Sequence, residues 1–353
     1  MKTVCWLTNI ASPYKMEMLS LLSKDINLII LLNDDASIGR NDGWYSREHG
    51  NAELVTVEKN YRKQIIELAK RCDVLIDSMY ATSVGIYAVS CFRFYRKKVF
   101  IHADGGIPRK LPLHQNAGVR LFMNRHHYAL SSGNVTDRYF RYYGFPQKRI
   151  FHYRFSSLNK ETIQKHQKMR LAKEKYREEL GLGNTFTFIS VGRALYRKGF
   201  DILLKAYKES GLDTVSQLLI VGGEATPDLN ALIQSNDIKN VTFYPFINSA
   251  DLDKYYAASD AFILCTREEI WGLVINEALS FSLPVIVSDN CVAGEEFRDL
   301  GEDIVLVPNE DVSAYAAAML EQYNNPHIST LGASAEYNIE NTAADILKIL
   351  ESV

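Results

Sequence analysis

Short apolar runs, each closing in a polar or glycine-rich turn, recur along the chain and alternate with stretches whose apolar residues fall at helical spacing. The first part reads KTVCWLTNI, an amphipathic run over 16–22, INLIILLND, a helical pattern over 61–71, then DVLIDSM and KKVFIHADGG. Strands covered on both faces appear as near-continuous apolar runs, so this alternation predicts a parallel, doubly wound sheet. A charged, helix-patterned stretch over 160–182 ends at Gly181 and Gly183, residues that stop helices readily. The alternation then restarts: TFTFISVG, helix 199–209, QLLIVGG, helix 228–235, VTFYPF, helix 251–258, AFILCT, helix 272–281 and LPVIVSD. The pattern predicts an α/β protein of two similar units, residues 1–155 and 156–335, with the amphipathic NTAADILKILESV as a last helix.

A chain of 353 residues exceeds what one hydrophobic core usually supports, and 47% hydrophobic with 23% charged residues is ordinary globular composition. Five cysteines lie far apart without a C-x-x-C pair, which fits reduced thiols in the cytoplasm. The start of the chain shows no small-residue cleavage site, and charges interrupt every apolar stretch before membrane-spanning length. The expectation is a soluble or peripheral protein. The net charge of −2 hides an asymmetry: residues 1–155 carry 23 basic and 13 acidic side chains, whereas residues 156–353 carry 17 and 29. Such a split suggests that the first unit faces something anionic.

Residues 261–289, AFILCTREEIWGLVINEALSFSLPVIVSD, read as strand, loop, helix, turn and strand. A helix opening near Gly272 aims unpaired N–H groups and a positive dipole end outward, which suits a diphosphate. Glu269 lies just before that start and Glu277 within the helix, both able to accept hydrogen bonds from sugar hydroxyls. The two-glutamate spacing, followed by Glu277, Ala278, Pro284, Val285 and Ile286, resembles the retaining family 4 glycosyltransferases of bacterial polysaccharide assembly. These have the GT-B architecture, two Rossmann-like domains with the last helix returning to the first. The resemblance implies that Glu269 holds the donor sugar and Glu277 the ribose, with Ile270, Trp271, Gly272 and Leu273 completing that side of the donor site.

A second stretch, SVGRALYRKGFDILLKAY, carries Gly192, Arg193, Lys198 and Gly199 in the family's G-R-x-x-x-x-K-G pattern. By resemblance Arg193 and Lys198 meet the donor diphosphate, where fixed cations stabilise the charge that grows on the leaving group. Gly222 and Gly223 resemble a third family position, whose missing side chains admit the nucleotide. Phe246 and Ile247 resemble the position that meets the nucleobase, though uracil against guanine is not readable there. Asp251 and Asp253 make an accidental D-x-D in the first turn of a helix, where acidic residues favour the dipole. No metal or other cofactor is expected. Three positions depart from the family pattern: Ser282 where Gly is usual, Cys265-Thr266 in place of Pro-Ser, and GEDIVLVP without its usual N-G.

In the first unit Ser12, Pro13 and Tyr14 replace the usual glycine-rich loop, and His102 and Asp104 close a strand beside Gly105 and Gly106. These residues form the expected acceptor side, with His102 and Asp104 as orienters of the acceptor hydroxyl. Two basic clusters interleaved with aromatics, Arg93 to Lys98 and Arg109 to Arg125, suit an anionic membrane surface. Nucleic acid is not expected, because the chain as a whole is acidic and carries no motif for it. The resulting expectation is transfer of a sugar from a UDP- or GDP-sugar to a saccharide, such as a polyprenyl-diphosphate-linked glycan, with retention. The rival readings are a nucleotide-sugar epimerase or hydrolase of the same fold, and a catalytically silent binding subunit.

Overall fold

The apolar runs become strands and the helical patterns become helices in the computed structural model, which describes residues 1–33, 45, 46 and 48–353. The first unit comprises Met1–Ser157 with Tyr337–Val353, and the second Leu158–Glu336. In the first, β1 (Thr3–Thr8), α1 (Pro13–Leu22), β2 (Asn27–Leu32), β3 (Glu53–Thr56), α2 (Tyr61–Arg71), β4 (Val74–Asp77) and α3 (Ser83–Phe94) precede β5 (Lys98–Ala103). There follow α4 (Leu113–Met123), β6 (Tyr128–Ser131), α5 (Asn134–Tyr142) and β7 (Ile150–His152). Asp34, placed by the sequence pattern at the end of β2, lies outside the described residues.

The second unit opens with α6 (Lys160–Leu171) and α7 (Lys173–Leu180), which fill the charged helical stretch. It continues with β8 (Thr187–Val191), α8 (Phe200–Glu209), β9 (Gln217–Val221), α9 (Pro227–Ser235), β10 (Val241–Tyr244), α10 (Ser249–Ala258) and β11 (Ala261–Leu264). Last come α11 (Leu273–Ser280), β12 (Val285–Ser288), α12 (Val292–Asp299), β13 (Ile304–Val307) and α13 (Val312–Asn324), before α14 (Ile339–Ser352) returns to the first unit. There α14 packs on α1. Asp345 pairs with Arg154 at 2.7 Å, and Lys2 Nζ donates to the carbonyls of Leu350 and Val353, a cation at the helix end where the dipole favours it.

Both sheets are parallel, with strand orders β3-β2-β1-β4-β5-β6-β7 and β10-β9-β8-β11-β12-β13. Covered on both faces, the central strands are almost wholly apolar: Val4 to Leu7, Phe188, Ile189 and Phe262 to Leu264 are buried. Each order reverses direction once, between β1 and β4 in the first sheet and between β8 and β11 in the second. In such sheets the loops after the two strands at the reversal diverge to opposite faces and leave a crevice between them, where ligands bind.

The sequence pattern passed over α3, α4, α5, α12 and α13. The cluster around Arg93 is the last turn of α3, a turn at Arg96 with φ +58°, and the first residue of β5. Its Phe92 is buried in the core while Phe94 is exposed, so an aromatic and basic run that suggests one surface is split across two elements. α4 buries only Met123, which leaves too little apolar periodicity to announce a helix.

At the end of α11 the N–H of Leu283 bonds the carbonyl of Ala278 and the N–H of Ser282 that of Leu279. This paired closure places Ser282 at φ +53°, the left-handed region that costs a residue with a Cβ roughly 1–2 kcal/mol. The serine in the family's glycine position is therefore strained. Ser282→Gly is expected to stabilise the second unit by ~0.5–1 kcal/mol after its unfolded-state entropy is counted, raising the thermal midpoint by roughly 2 °C. A lower midpoint would show that the weak contact of Ser282 with Gln167 at 3.3 Å outweighs the strain.

Candidate active site

At the reversal of the second sheet, the loop after β8 carries Gly192, Arg193 and Lys198, and the loop after β11 carries Glu269. A 3₁₀ turn, Tyr196–Lys198, comes down onto the end of β11 because Gly199 adopts φ +66°; a Cβ there would sit 1.9 Å from the Cys265 carbonyl oxygen. Thr266 Oγ1 donates to the Arg197 carbonyl at 2.9 Å and the Arg267 N–H to the same oxygen at 2.8 Å. The Arg267 guanidinium lies over the Tyr196 ring and pairs with Asp201, so the two loops form one rigid piece. Thr266, at a departure from the family pattern, is thus part of the tie.

Lys198, buried, reaches Glu269 Oε2 at 2.5 Å, and Arg197 reaches the same oxygen at 3.0 Å. A buried ammonium needs an anionic partner, and Glu269 supplies it. Arg193 is exposed, with no acidic partner among the described residues. Beside these, α11 starts at Leu273 after Gly272 with no acidic residue in its first turn. The piece therefore holds Glu269 between two cations, with the exposed Arg193 in the same loop as Lys198 and the start of α11 just after Glu269.

Glu277 Oε2 accepts from the Tyr256 hydroxyl at 2.8 Å. Burial lifts its carboxyl to about 7; the Tyr256 bond and Lys198 pull it down, while Asp253 pushes it further up. Tyr256 is itself stacked on Phe281, whose other neighbour is the His166 ring at 4.1 Å. Gly222 sits where a Cβ would lie 2.8 Å from the Gly192 carbonyl oxygen, so its missing side chain serves the packing of two strand ends. Gly223 follows it, with its N–H bonded to the Tyr244 carbonyl. Phe246 and Ile270 are exposed, and Ile247 and Leu273 half-buried. Trp271 has its ring in the core, bonded to Asn276 Oδ1 and edge-on to Phe297, where it fastens the loop.

Asp251 and Asp253 are engaged separately. Asp251 closes the first turn of α10 with Asn248, whereas Asp253 is buried and pairs with Lys165 at 2.7 Å and His166 at 3.2 Å. Among the described residues no group of three or more His, Cys, Asp or Glu side chains is arranged to hold a metal.

In the first unit His102 is the penultimate residue of β5, and Asp104 follows its last residue, Ala103. His102 Nε2 lies 3.3 Å from Asp104 Oδ1, and its Nδ1 3.0 Å from Ser78 Oγ, which accepts from the Trp6 indole N–H at 3.0 Å. The Tyr153 hydroxyl donates to Asp104 Oδ1 at 3.1 Å, and Lys15 Nζ stands 3.6 Å from Oδ2. Burial pushes the His102 imidazole down to about 4. Burial alone would raise the Asp104 carboxyl, but Lys15, His102 and Tyr153 outweigh it and hold it below the usual range. Ser12 is buried at the entry to α1, after which come Pro13 as the first helical residue and Tyr14, edge-on to Phe155. Gly105 and Gly106 are buried beyond Asp104, with the Tyr139 ring packed against Gly106.

Sequence reasoning missed Arg197, Tyr256, Lys15, Ser78 and Tyr153. Arg197 was findable as the neighbour of Lys198 in the same pattern. Lys15 likewise directly follows Tyr14, whereas Tyr256, Ser78 and Tyr153 come from other parts of the chain and carry no local signature.

Residues 172–345 match the family model of the glycosyl transferases group 1. The chain is similar to O-antigen chain mannosyltransferase C of Escherichia coli, 31% identical over 159 residues, which cover 42% of this chain and 39% of that protein. It is also similar to the alpha-monoglucosyldiacylglycerol synthase of Acholeplasma laidlawii, 29% identical over 175 residues, covering 48% and 43%. The matched region thus spans about two fifths of the length of these curated relatives. Among solved structures, Anabaena HepE in complex with UDP matches over 100% of both chains with a TM-score of 0.78 at 16% identity, a likeness of fold. With its two parallel sheets the chain has the GT-B fold, and its residues 172–345, just under half of its length, are similar to the glycosyl transferases group 1 family.

Proposed function

We propose that the chain transfers a sugar from a nucleotide-sugar to a saccharide acceptor, with retention and without a metal. The observation that carries this reading is the single rigid piece in which Lys198 and Arg197 share Glu269 beside the exposed Arg193 and the start of α11. In the reaction the bond from the sugar's anomeric carbon to the diphosphate breaks, a bond to the acceptor oxygen forms, and the acceptor's proton leaves with the nucleoside diphosphate. Charge grows on the diphosphate, where Arg193, Lys198 and the α11 N–H groups stabilise it without reorganising. Glu269 orients the donor sugar and Glu277 the ribose. HepE has been solved with UDP-glucose, which makes a uridine donor the first to try.

Arg193→Ala and Lys198→Ala are each expected to lower turnover by ~10²-fold or more, with the fold retained by circular dichroism. EDTA should leave the wild-type rate unchanged, and NMR of the product from an α-linked donor should show an α linkage. Near-normal rates in both variants, or nucleotide-sugar converted equally with and without acceptor, would contradict the transfer reading.

The acceptor side carries a second part of the proposal: the first unit docks on an anionic membrane and takes a lipid-linked glycan there, from the cytoplasmic side. No helix among the described residues is long and apolar enough to cross a membrane. The support is on the surface of α3 and α4, where Phe94, Leu113 and Leu121 are 80%, 89% and 74% exposed beside exposed Arg93, Arg96, Lys98, Arg109, Lys110 and Arg120. Each basic residue near an anionic leaflet contributes about 1 kcal/mol, screened by salt. Cosedimentation with phosphatidylglycerol vesicles at low salt should be strong and should fall when Arg93, Arg96, Lys97 and Lys98 are changed to Ser. Equal, negligible binding to neutral and anionic vesicles would point to a soluble acceptor.

A further inference from the structure

We infer that Asp104, and not His102, is the group that meets the acceptor hydroxyl, and that Trp6, Ser78 and His102 form a relay positioning its carboxylate. The inference deepens the transfer reading above and rests on it.

His102 has nothing left to offer a substrate. It is 3% exposed, Trp6 packs edge-on at 5.0 Å between centroids, and Tyr153 stacks on it at 5.3 Å. Both ring nitrogens are engaged. A carboxylate can only accept, so Nε2 must carry the proton that faces Asp104 Oδ1. A neutral imidazole then leaves Nδ1 as acceptor, and the Ser78 hydroxyl must donate to it. Ser78 Oγ accepts in turn from the Trp6 N–H, whose ring is fixed in the core of β1. Every hydrogen bond therefore runs in one direction, from Trp6 through Ser78 and His102 to Asp104. Charge at the end of such a chain polarises its members and strengthens each bond.

Asp104 is placed differently. Its side chain is 28% exposed, against 2% for His102 and 9% for Lys15. Oδ1 is taken by His102 and Tyr153, while Oδ2 faces Lys15 at 3.6 Å, beyond hydrogen-bond reach. A carboxylate has about four accepting positions, so Oδ2 retains capacity for a ligand hydroxyl. Lys15 is buried and has this carboxylate as counter-ion, which keeps Asp104 ionised and its position fixed.

The relay is read without turnover by ¹⁵N NMR of histidine-labelled protein. His102 should be the neutral Nε2–H tautomer throughout the neutral pH range, and Asp104→Asn should populate the other tautomer. An imidazolium or an Nδ1–H form in the wild type would overturn the relay, whatever the protein catalyses. The role of Asp104 is read with UDP-glucose and GDP-mannose as donors and octyl glycosides as acceptors. Asp104→Asn should lose ~10²-fold in transfer with UDP affinity unchanged. His102→Ala should also fall, but His102→Gln, whose amide N–H stands in for Nε2–H, should recover to within about tenfold of wild type, because positioning needs only the donor. His102→Gln as inactive as His102→Ala, with Asp104→Asn retaining transfer, would assign the contact to His102. Wild-type protein that transfers to no acceptor while showing the expected tautomer would overturn the transfer reading and leave the relay standing.

Discussion

The candidate site of the second unit depends on one contact, the buried Lys198 ammonium held by Glu269. Neither group is stable in that position alone: an unpaired buried ammonium is costly, and Glu269 lies in a loop that two cations pull inward. The sheet makes the contact possible. Because strand order reverses between β8 and β11, loops from residues 71 apart in sequence lie side by side, and Gly199 allows the closest approach. Thr266 and Arg267 then hold the pair in register. Under the proposed function, a diphosphate arriving there would compete with Glu269 for the same cations and free the carboxylate to meet the sugar.

The first sheet solves the corresponding problem with a polar knot at the ends of its strands. Trp6 from β1, Ser78 after β4, His102 in β5, Tyr153 after β7 and Lys15 in α1 converge on Asp104. Five separate parts of the chain fix one carboxylate. The two sites share a logic, a partly exposed acidic group whose position is set by buried partners, but the charges differ. In the second unit the carboxylate neutralises cations that a ligand would claim, whereas in the first the cation neutralises a carboxylate that keeps a free accepting face.

The alternation of apolar runs and helical patterns was enough to announce two parallel doubly wound sheets, because buried strands and amphipathic helices leave strong local periodicities. Helix α4 left none, since only Met123 is buried, and the boundary between α3 and β5 is hidden by Arg96 in a left-handed turn. In the site, Arg193, Lys198, Glu269 and Glu277 stand in two short segments whose spacing is readable, and the structure brings Lys198 and Glu269 into contact. The partners that set their chemistry were not readable. Tyr256 lies 21 residues from Glu277, and Tyr153 49 from Asp104, each placed by topology. His102 stands near a strand end as expected, and its two ring nitrogens face Asp104 and Ser78, partners that its local sequence does not announce.

The central claim, that the piece joining Gly192–Gly199 to Cys265–Leu273 is a nucleoside-diphosphate site, is tested most directly by thermal shift with a set of nucleotides. A ligand bound only by the folded state raises the midpoint with its concentration, by an amount equivalent to about 2.7 kcal/mol at 100 times its Kd. UDP- or GDP-sugars and the matching diphosphate should raise the midpoint in the wild type, the monophosphate much less, and none of them in Lys198→Ala. No shift with any nucleotide-sugar, or an equal shift in wild type and Lys198→Ala, would contradict the claim.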